Sequence, residues 1–240
     1  RPMPHSMNTA VIEYLVLGER QEGSVGKNDV LLIAADQSAV NKFIAPFAQT
    51  GMEVDELDAH PLALRNVLRL RTWSPEENIL LVDIGAGKTE INIFRQGALR
   101  FSRCIETGGL AATRAVAADL GVGLEEAEAI KVRTDVATAP DDDRAAAVVR
   151  TELNTILLEI RRSVEYFKTT FREKNVARTI LTGGVALTSG IQEYFSRALD
   201  GPVEVDDPFS GMAAASGVLD ELRGQSSRFA SAVGLALRRT

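Results

Sequence analysis

The order of the predicted strands and helices indicates an α/β protein. Three observations lead to this prediction: a buried-type strand over Ile79–Val82 with an alternating strand after it, a long helical stripe, and a second buried-type strand over Thr179–Leu181. Strands that alternate with long helical patterns are typical of βαβ units. The 240 residues exceed a typical domain of roughly 100 to 150 residues, so we expect two units.

The first 58 residues predict a small ββαβ unit. Two aliphatic runs, Val11–Leu17 and Val30–Ala35, flank the glycine-containing loop Glu19–Asp29 and predict a pair of strands. Apolar residues then recur at helical spacing up to Gly51, and Met52–Leu57 predicts a third strand.

A short helix and a linker are predicted next. Asp58 can cap a helix that has Pro61 in its first turn and ends near Arg71, and Thr72–Asn78 then forms the linker. His60 lies beside the proline at the start of this helix. We therefore expect it to be a local cap or a surface group without a chemical role.

The remaining elements follow from the same two periodicities. In chain order they are strands at Ile79–Val82, Glu90–Phe94 and Leu99–Ile105, helices at Leu110–Leu120, Leu124–Val132 and Ala145–Phe171, a strand at Thr179–Leu181, a helix at Ile191–Leu199 and a strand at Pro202–Val205. The apolar stripe within the third of these helices is the longest. We expect it to form the core.

Composition and charge argue against several classes of function. The hydrophobic share of 45% and the charged share of 25% are those of a folded globular protein. A net charge of −6 without a Lys/Arg run disfavours nucleic acid as a partner. No apolar run approaches the ~20 residues of a membrane span, and the start is not a signal peptide. The single Cys104 cannot form an internal disulfide, so we expect a soluble cytoplasmic protein.

A glycine-rich turn follows the first buried strand. Gly85, Ala86 and Gly87 lie between two predicted strands, where exposed backbone N–H groups form an anion-binding concavity. The following Lys-Thr pair does not make a Walker-type loop, because Val82 stands where that motif requires glycine and a strand follows the pair. The turn therefore predicts a phosphate site of the hairpin kind.

Three side chains beside this turn are candidates for the same site. Asp83 could hold a hydrated Mg²⁺, and Lys88 or Thr89 could contact a terminal phosphate. An ordinary hairpin explains the sequence equally well: in that interpretation Gly85 and Gly87 satisfy positive φ, and the aspartate bonds the turn backbone.

A second turn, Thr182-Gly183-Gly184, lies between a strand and a helix. Open α/β sheets bind ligands beyond the carboxyl ends of their strands, and small residues there admit a base or a ribose. Together the two turns are stronger evidence than either alone.

The paired turns resemble the second half of the actin-like ATPase superfamily. That resemblance implies an actin-like fold with a ribonuclease H-like motif, and it implies ATP with Mg²⁺ as the cofactor. It places Asp83, Gly85, Gly87, Gly183 and Gly184 around one nucleotide. Gly108 and Gly109, which open the next helix, belong to the same implied site. The resemblance also assigns Glu128 and Lys131 to the ribose and base, although their spacing equally suits a surface ion pair.

Within the superfamily the chain resembles the PilM family of type IV pilus assembly proteins, and next the related FtsA division proteins. The stretches that carry this resemblance are Pro2-Met3-Pro4, Ile12–Gly18, Val30–Asp36, Asp58–Leu64, Glu159–Tyr166 and Gly234–Arg238.

The resemblance implies a domain organisation. Residues 1–58 form a small inserted subdomain for partner docking, and residues 59–78 form a connecting helix and linker of the first actin-like half. Residues 79–224 form the second half with the nucleotide loops, with residues 122–175 as its helical subdomain, and residues 225–240 form a helix that packs back on the first half. Since nothing before Val11 supplies the family's first phosphate loop, we expect an incomplete first half, and weak or no ATP binding by this chain alone.

The function implied by the PilM resemblance is that of a cytoplasmic scaffold at the inner-membrane face, with little or no ATP turnover. Its implied partner is the cytoplasmic tail of an inner-membrane pilus protein resembling PilN, with pilus motor ATPases as further candidates. Two alternatives stay open: an FtsA-like division protein, and a nucleotide-hydrolysing or sugar-kinase-like enzyme of the same superfamily.

Overall fold

The computed structural model describes residues 9–23, 25–74, 76–173, 175–199, 201–210, 212, 217, 221–222 and 224–238. The Pro2-Met3-Pro4 stretch noted above lies outside these residues. The chain divides into two compact units, residues 1–59 and residues 60–240.

The small unit consists of one antiparallel hairpin followed by one helix. Strand β1 (Ala10–Glu22) pairs with strand β2 (Val25–Asp36), and Gly23 turns the chain with a φ of +66°. Helix α1 (Gln37–Gln49) begins directly after Asp36, whose carboxylate accepts the Ser38 N–H at 2.9 Å. The paired strands and the helix confirm the sequence prediction.

Two details of the small unit were predicted wrongly. The expected loop Glu19–Asp29 is mostly strand, because the antiparallel ladder continues to the pair formed by residues 22 and 25. The expected third strand Met52–Leu57 is not formed, and segment 52–59 has no regular secondary structure. Only Val54 of those six residues is even half-buried, so the segment offers a sheet little apolar surface.

A five-stranded mixed sheet forms the centre of the larger unit. Its strands are β3 (Asn78–Ile84), β4 (Thr89–Arg95), β5 (Ala98–Ile105), β6 (Arg178–Thr182) and β7 (Val203–Val205). Their spatial order is β5-β4-β3-β6-β7. The pairs β3/β4 and β4/β5 are antiparallel, whereas β3/β6 and β6/β7 are parallel. The predicted α/β class is confirmed.

Helices and 3₁₀ turns surround this sheet. The helices are α2 (His60–Leu68), α3 (Gly109–Leu120), α4 (Leu124–Arg133), α5 (Arg144–Phe171), α6 (Ile191–Ala198) and α7 (Ala230–Ala236), and the 3₁₀ turns are Gly184–Leu187 and Ser226–Phe229. Helix α2 ends three residues before the predicted Arg71, because residues 69–71 donate their N–H groups three residues back in successive turns.

The long helix α5 supplies the core, as its apolar stripe predicted. Its buried residues include Leu153, Ile156, Ile160 and Phe167, each at most 2% exposed, and they pack in one cluster with the central strands of the sheet. The rigid sheet positions the turns at the ends of β3 and β6.

Helices α2 and α7 pack at very short range. A Cβ at Gly234 would overlap the backbone carbonyl of Ala63, so only glycine allows this approach. The Asn66 side chain also donates to the carbonyl of Gly234 at 2.9 Å. The last described helix is thereby fixed to the helix that precedes the sheet.

Candidate functional site

The first glycine turn is a four-residue connection between two paired strands. The ladder of β3 and β4 closes at Ile84 and Thr89, and the Gly85 N–H donates to the Lys88 carbonyl at 2.9 Å. Neither Gly85 nor Gly87 has a positive φ. The positive φ that the ordinary-hairpin interpretation assumed at both glycines was therefore predicted wrongly, although the two strands do form a hairpin.

Helix α3 anchors this turn through its own first residues. The N–H of Gly109 donates to the Gly85 carbonyl at 2.9 Å, and the N–H of Leu110 donates to the Ala86 carbonyl at 2.8 Å. A Cβ at Gly108 would lie 2.8 Å from the Ala86 carbonyl oxygen. The two glycines at this helix start therefore support the turn, and these N–H groups already have acceptors.

Two of the predicted phosphate contacts have partners elsewhere in the protein. The Lys88 side chain is 64% exposed, and its Nζ lies 3.3 Å from Glu106 Oε1. Thr89 is buried, and its hydroxyl donates to the Thr107 carbonyl at 2.8 Å. Their contact with a terminal phosphate stays a prediction.

The second glycine turn lies beside the first. Strands β3 and β6 are parallel neighbours, with Asp83 opposite Thr182. Gly183 has a φ of +86°, and a Cβ there would overlap Asp83 Oδ1 and lie 2.6 Å from the Ile84 carbonyl oxygen. The close approach of the two turns therefore requires glycine at this position.

Glu128 and Lys131 form an ion pair that joins a buried lysine to a glutamate whose side chain is 48% exposed. Lys131 is only 7% exposed, and its Nζ donates to Glu128 Oε2 at 2.6 Å and to Thr113 Oγ1 at 3.0 Å. The Thr113 hydroxyl also bonds the same glutamate. Burial raises the pKa of Glu128, but the bonds from Lys131 and Thr113 outweigh burial and leave that pKa below its usual range.

A cavity of about 520 Å³ joins these features. Six of the predicted site residues line it: Gly85, Ala86, Gly109, Glu128, Lys131 and Gly184. The other six do not: Asp83, Gly87, Lys88, Thr89, Gly108 and Gly183. Half of the predicted site residues therefore line the cavity, and the other half lie in the turns and strands next to those lining residues.

The sequence did not reveal part of the lining. Thr113, Gln225 and Arg228 reach the same cavity. Arg228 lies opposite Gly184, where an added Cβ would be 3.9 Å from its Nε. Its neighbour Ser227 fixes the segment, since its carbonyl accepts the Gly183 N–H at 3.0 Å and the Thr182 hydroxyl at 2.9 Å. More than forty residues separate these partners in sequence, and no local motif marks the pairing.

His60 was predicted wrongly as a local cap or surface group. Its Nε2 lies 3.0 Å from Asp83 Oδ2 and its Nδ1 lies 2.9 Å from Glu90 Oε1. The Nε2 atom is also 2.5 Å from Ser231 Oγ. Hydrogen bonds to Asp83 and then Glu90 raise the pKa of His60 to about 10, against the opposing effect of burial. The imidazole is a cation held between two carboxylates at the base of the phosphate turn.

Metal ligation has limited support in the geometry. One oxygen of Asp83 is bonded to His60 and the other faces the backbone of Gly183. Across the residues that the structure describes, no group of three His, Cys, Asp or Glu side chains is arranged to hold a metal ion. A magnesium ion here would depend on water and on the phosphates themselves, as Mg²⁺ commonly does.

The lining fits an adenine nucleotide in its chemistry. Lys131 and Arg228 bring two cations, Glu128 can accept from sugar hydroxyls, and the glycines at 85, 109 and 184 keep the walls open. The volume lies within the range of small-molecule sites, roughly 300 to 1,000 Å³.

The fold of this chain is that of the actin-like ATPases. Two solved structures share that fold: MreB5 of Spiroplasma citri bound to AMPPNP, at a TM-score of 0.60 and 14% identity, and the ethanolamine utilization protein EutJ of Carboxydothermus hydrogenoformans, at 0.59 and 22%. They cover 84% and 82% of this chain, which in turn covers 63% and 60% of theirs.

The chain belongs to the type IV pilus assembly protein PilM family, whose model matches residues 1–240. It is also similar to a solved PilM-PilN type IV pilus biogenesis complex, with a TM-score of 0.84 and 26% identity over 98% of this chain and 68% of that one.

The chain is also similar to cell division proteins. FtsA of Neisseria meningitidis serogroup B is 26% identical over 86% of this chain, and FtsA of Pseudomonas aeruginosa is 28% identical over 78%. The chain spans 53% and 48% of their lengths, about half of each. Within the described residues, every helix is too short or too polar to cross a membrane.

Proposed function

We propose that this chain carries the nucleotide side of an ATP-binding, actin-like scaffold for type IV pilus assembly. The observation that supports it most is the convergence of five separate segments on one cavity: the Gly85-Ala86 turn, the start of α3, helix α4, the turn at Gly184 and the segment at Arg228. The family match supplies the pilus context.

In this proposal each segment has its own role. The Gly85-Ala86 turn receives phosphate oxygens on backbone N–H groups other than that of Gly85, which already donates to the Lys88 carbonyl. Glu128 and Lys131 hold the ribose, and Arg228 lies across from Gly184 over the base. Asp83 contributes to Mg²⁺ through water. The ion would supply charge neutralisation of the phosphates.

We further propose that the scaffold docks the cytoplasmic tail of an inner-membrane pilus protein resembling PilN. The similar PilM-PilN complex supports this partner. The small unit offers a suitable surface, because one face of its hairpin carries the exposed cross-strand pairs Tyr14/Leu32 and Val16/Val30. Such a partner would bring the protein to the cytoplasmic face of the inner membrane. The pilus motor ATPases are further candidate partners.

Slow or absent ATP turnover is part of the same proposal. General base catalysis needs a carboxylate or imidazole able to take a proton from water. Asp83 and Glu90, the carboxylates at the base of the turn, each accept a bond from the His60 cation. The ring already occupies one oxygen of each carboxylate, so an attacking water would have to compete with His60 for it.

Photoaffinity labelling tests the nucleotide part directly. With 8-azido-ATP at millimolar concentration and mapping by mass spectrometry, we expect label within residues 110–132, 184–188 or 224–228, and loss of label with excess ATP. Label confined to other segments, or insensitive to ATP, would refute the site.

A division role is the second candidate, and the FtsA relatives favour it. Deleting the gene in the source bacterium distinguishes the two. The pilus proposal predicts loss of pili with normal division, whereas the alternative predicts filamentous cells.

A further inference from the structure

The carboxylates of Asp83 and Glu90 are direct cross-strand partners. They lie opposite each other in the β3/β4 ladder, one pair before the strands close into the phosphate turn. Like charges directly opposite each other destabilise an antiparallel pair. A positive charge close to both carboxylates would offset this repulsion at the base of the turn.

The His60 ring lies between the two carboxylates. Its Nδ1 is 2.9 Å from Glu90 Oε1 and its Nε2 is 3.0 Å from Asp83 Oδ2. A neutral imidazole carries a single N–H, so donating to both carboxylates requires the doubly protonated ring. The cluster of two carboxylates and one cation then has a net charge of −1.

The position of this cluster matters for any polyphosphate. The turn between its two strands is the one whose backbone N–H groups would face the phosphates, and a phosphate chain would add more negative charge nearby. Among the residues that the structure describes, Glu90 Oε2 is buried without a hydrogen-bond partner, so its charge is poorly screened. Without the imidazolium, both the turn and its ligand would face a charge of −2.

We propose that His60 is a positioning residue for polyphosphate recognition: its cation balances Asp83 and Glu90 and so holds the intervening turn in its receptive shape. This inference rests on the proposed nucleotide site. It concerns the binding of phosphates, and His60 itself does not contact the ligand.

The charge account predicts a specific order of affinities. NMR titration, which follows even millimolar binding, would compare ATP, AMP and adenosine on four proteins: the wild type, His60→Gln, Glu90→Gln and the double variant. We expect His60→Gln to lower the affinity for ATP roughly tenfold, because one nearby positive charge is removed at a partly exposed site. The affinity for adenosine, which has no phosphate, should change little. The double variant has a cluster charge of −1 again and should bind ATP as the wild type does.

Arg95 provides the matched control. It lies at the other end of β4 and also joins two carboxylates, with Nη1 2.8 Å from Glu173 and Nη2 2.7 Å from Glu76. Arg95→Gln removes a cation that also pairs with two carboxylates but lies at the opposite end of β4 from the turn. It should leave the ratio of ATP to adenosine affinity unchanged.

A ligand-free measurement separates this inference from the proposed function. Amide hydrogen exchange of residues 84–88 should quicken in His60→Gln, return towards the wild-type rate in the double variant and stay unchanged in Arg95→Gln. If the wild type binds no nucleotide but exchange follows this order, the proposed function fails and the charge balance stands. Equal loss of ATP and adenosine affinity, no rescue by Glu90→Gln, or unchanged exchange would overturn the inference.

Discussion

At the scale of single residues, His60 connects three elements with one ring. It extends from the start of α2 to Asp83 on β3 and Glu90 on β4. The local sequence Asp83–Thr89 allowed the turn itself to be predicted, because hairpin geometry depends on neighbours in the chain. His60 and Arg228 could not be recognised in that way: Asp83 and Glu90 lie 23 and 30 residues after His60, Gly184 lies 44 residues before Arg228, and only the folded chain brings them together.

The charge of His60 makes stability depend on pH. Its folded-state pKa of about 10 exceeds the ordinary 6.5, so its contribution is fully present below pH 6.5 and is lost as pH rises towards 10. Without nucleotide or divalent ions, the difference in unfolding free energy between wild type and His60→Gln should shrink across this interval. Urea denaturation at several pH values measures it, and a difference that stays constant from pH 6 to 10 would contradict the assignment.

At the scale of elements, the spacing of apolar residues predicted which faces are buried. It did not predict features that depend on which strands pair with each other. The α5 stripe and the strands of the larger unit were predictable because apolar spacing reports burial. The third strand at Met52–Leu57 was not, because a strand exists only if another strand accepts its hydrogen bonds. The length of the β1–β2 hairpin was underestimated for the same reason, since polar residues continued the ladder.

The contact between α2 and α7 depends on one missing side chain. Gly234→Val would drive two methyl groups against the Ala63 backbone, and overpacking of this kind costs about 1 to 3 kcal/mol. We expect a lower melting temperature by calorimetry. Leu235→Ala is the control, because Leu235 is 51% exposed and surface changes usually stay within about 0.5 kcal/mol. Equal melting of the two variants would refute the close packing.

At the scale of the whole molecule, the two units carry different surfaces. The larger unit holds the cavity lined by Lys131 and Arg228, and the small unit exposes an apolar strand face. In the proposed function each surface has a role, because the cavity would hold the nucleotide and the strand face would bind the partner. The family resemblance implies this division of roles, which stays a prediction, whereas the order of the elements and the composition indicate only a globular α/β protein.

The apolar face leads to a prediction about partner docking. Leu32→Glu places a charge in the exposed Tyr14/Leu32 pair, which should weaken binding of a PilN-like cytoplasmic tail at least tenfold by fluorescence anisotropy. Because Leu32 is 50% exposed, the fold should persist by circular dichroism. Lys42→Glu, at an exposed position on α1, is the control. Unaltered tail binding in Leu32→Glu would remove this face from the proposal.

The central claim, a nucleotide held between the two glycine turns, is tested most directly by NMR titration of the chain with Mg·ATP. Gly184 lies at the cavity wall without positive φ, so Gly184→Arg should fold and fill the space. Gly26→Arg adds the same side chain at an exposed strand position where nothing lies within 4 Å of the added Cβ. The account predicts shifts at Ala86, Thr113, Lys131 and Arg228 in the wild type and Gly26→Arg, and none in Gly184→Arg. Identical shifts in all three proteins, or shifts confined to residues outside the cavity, would contradict it.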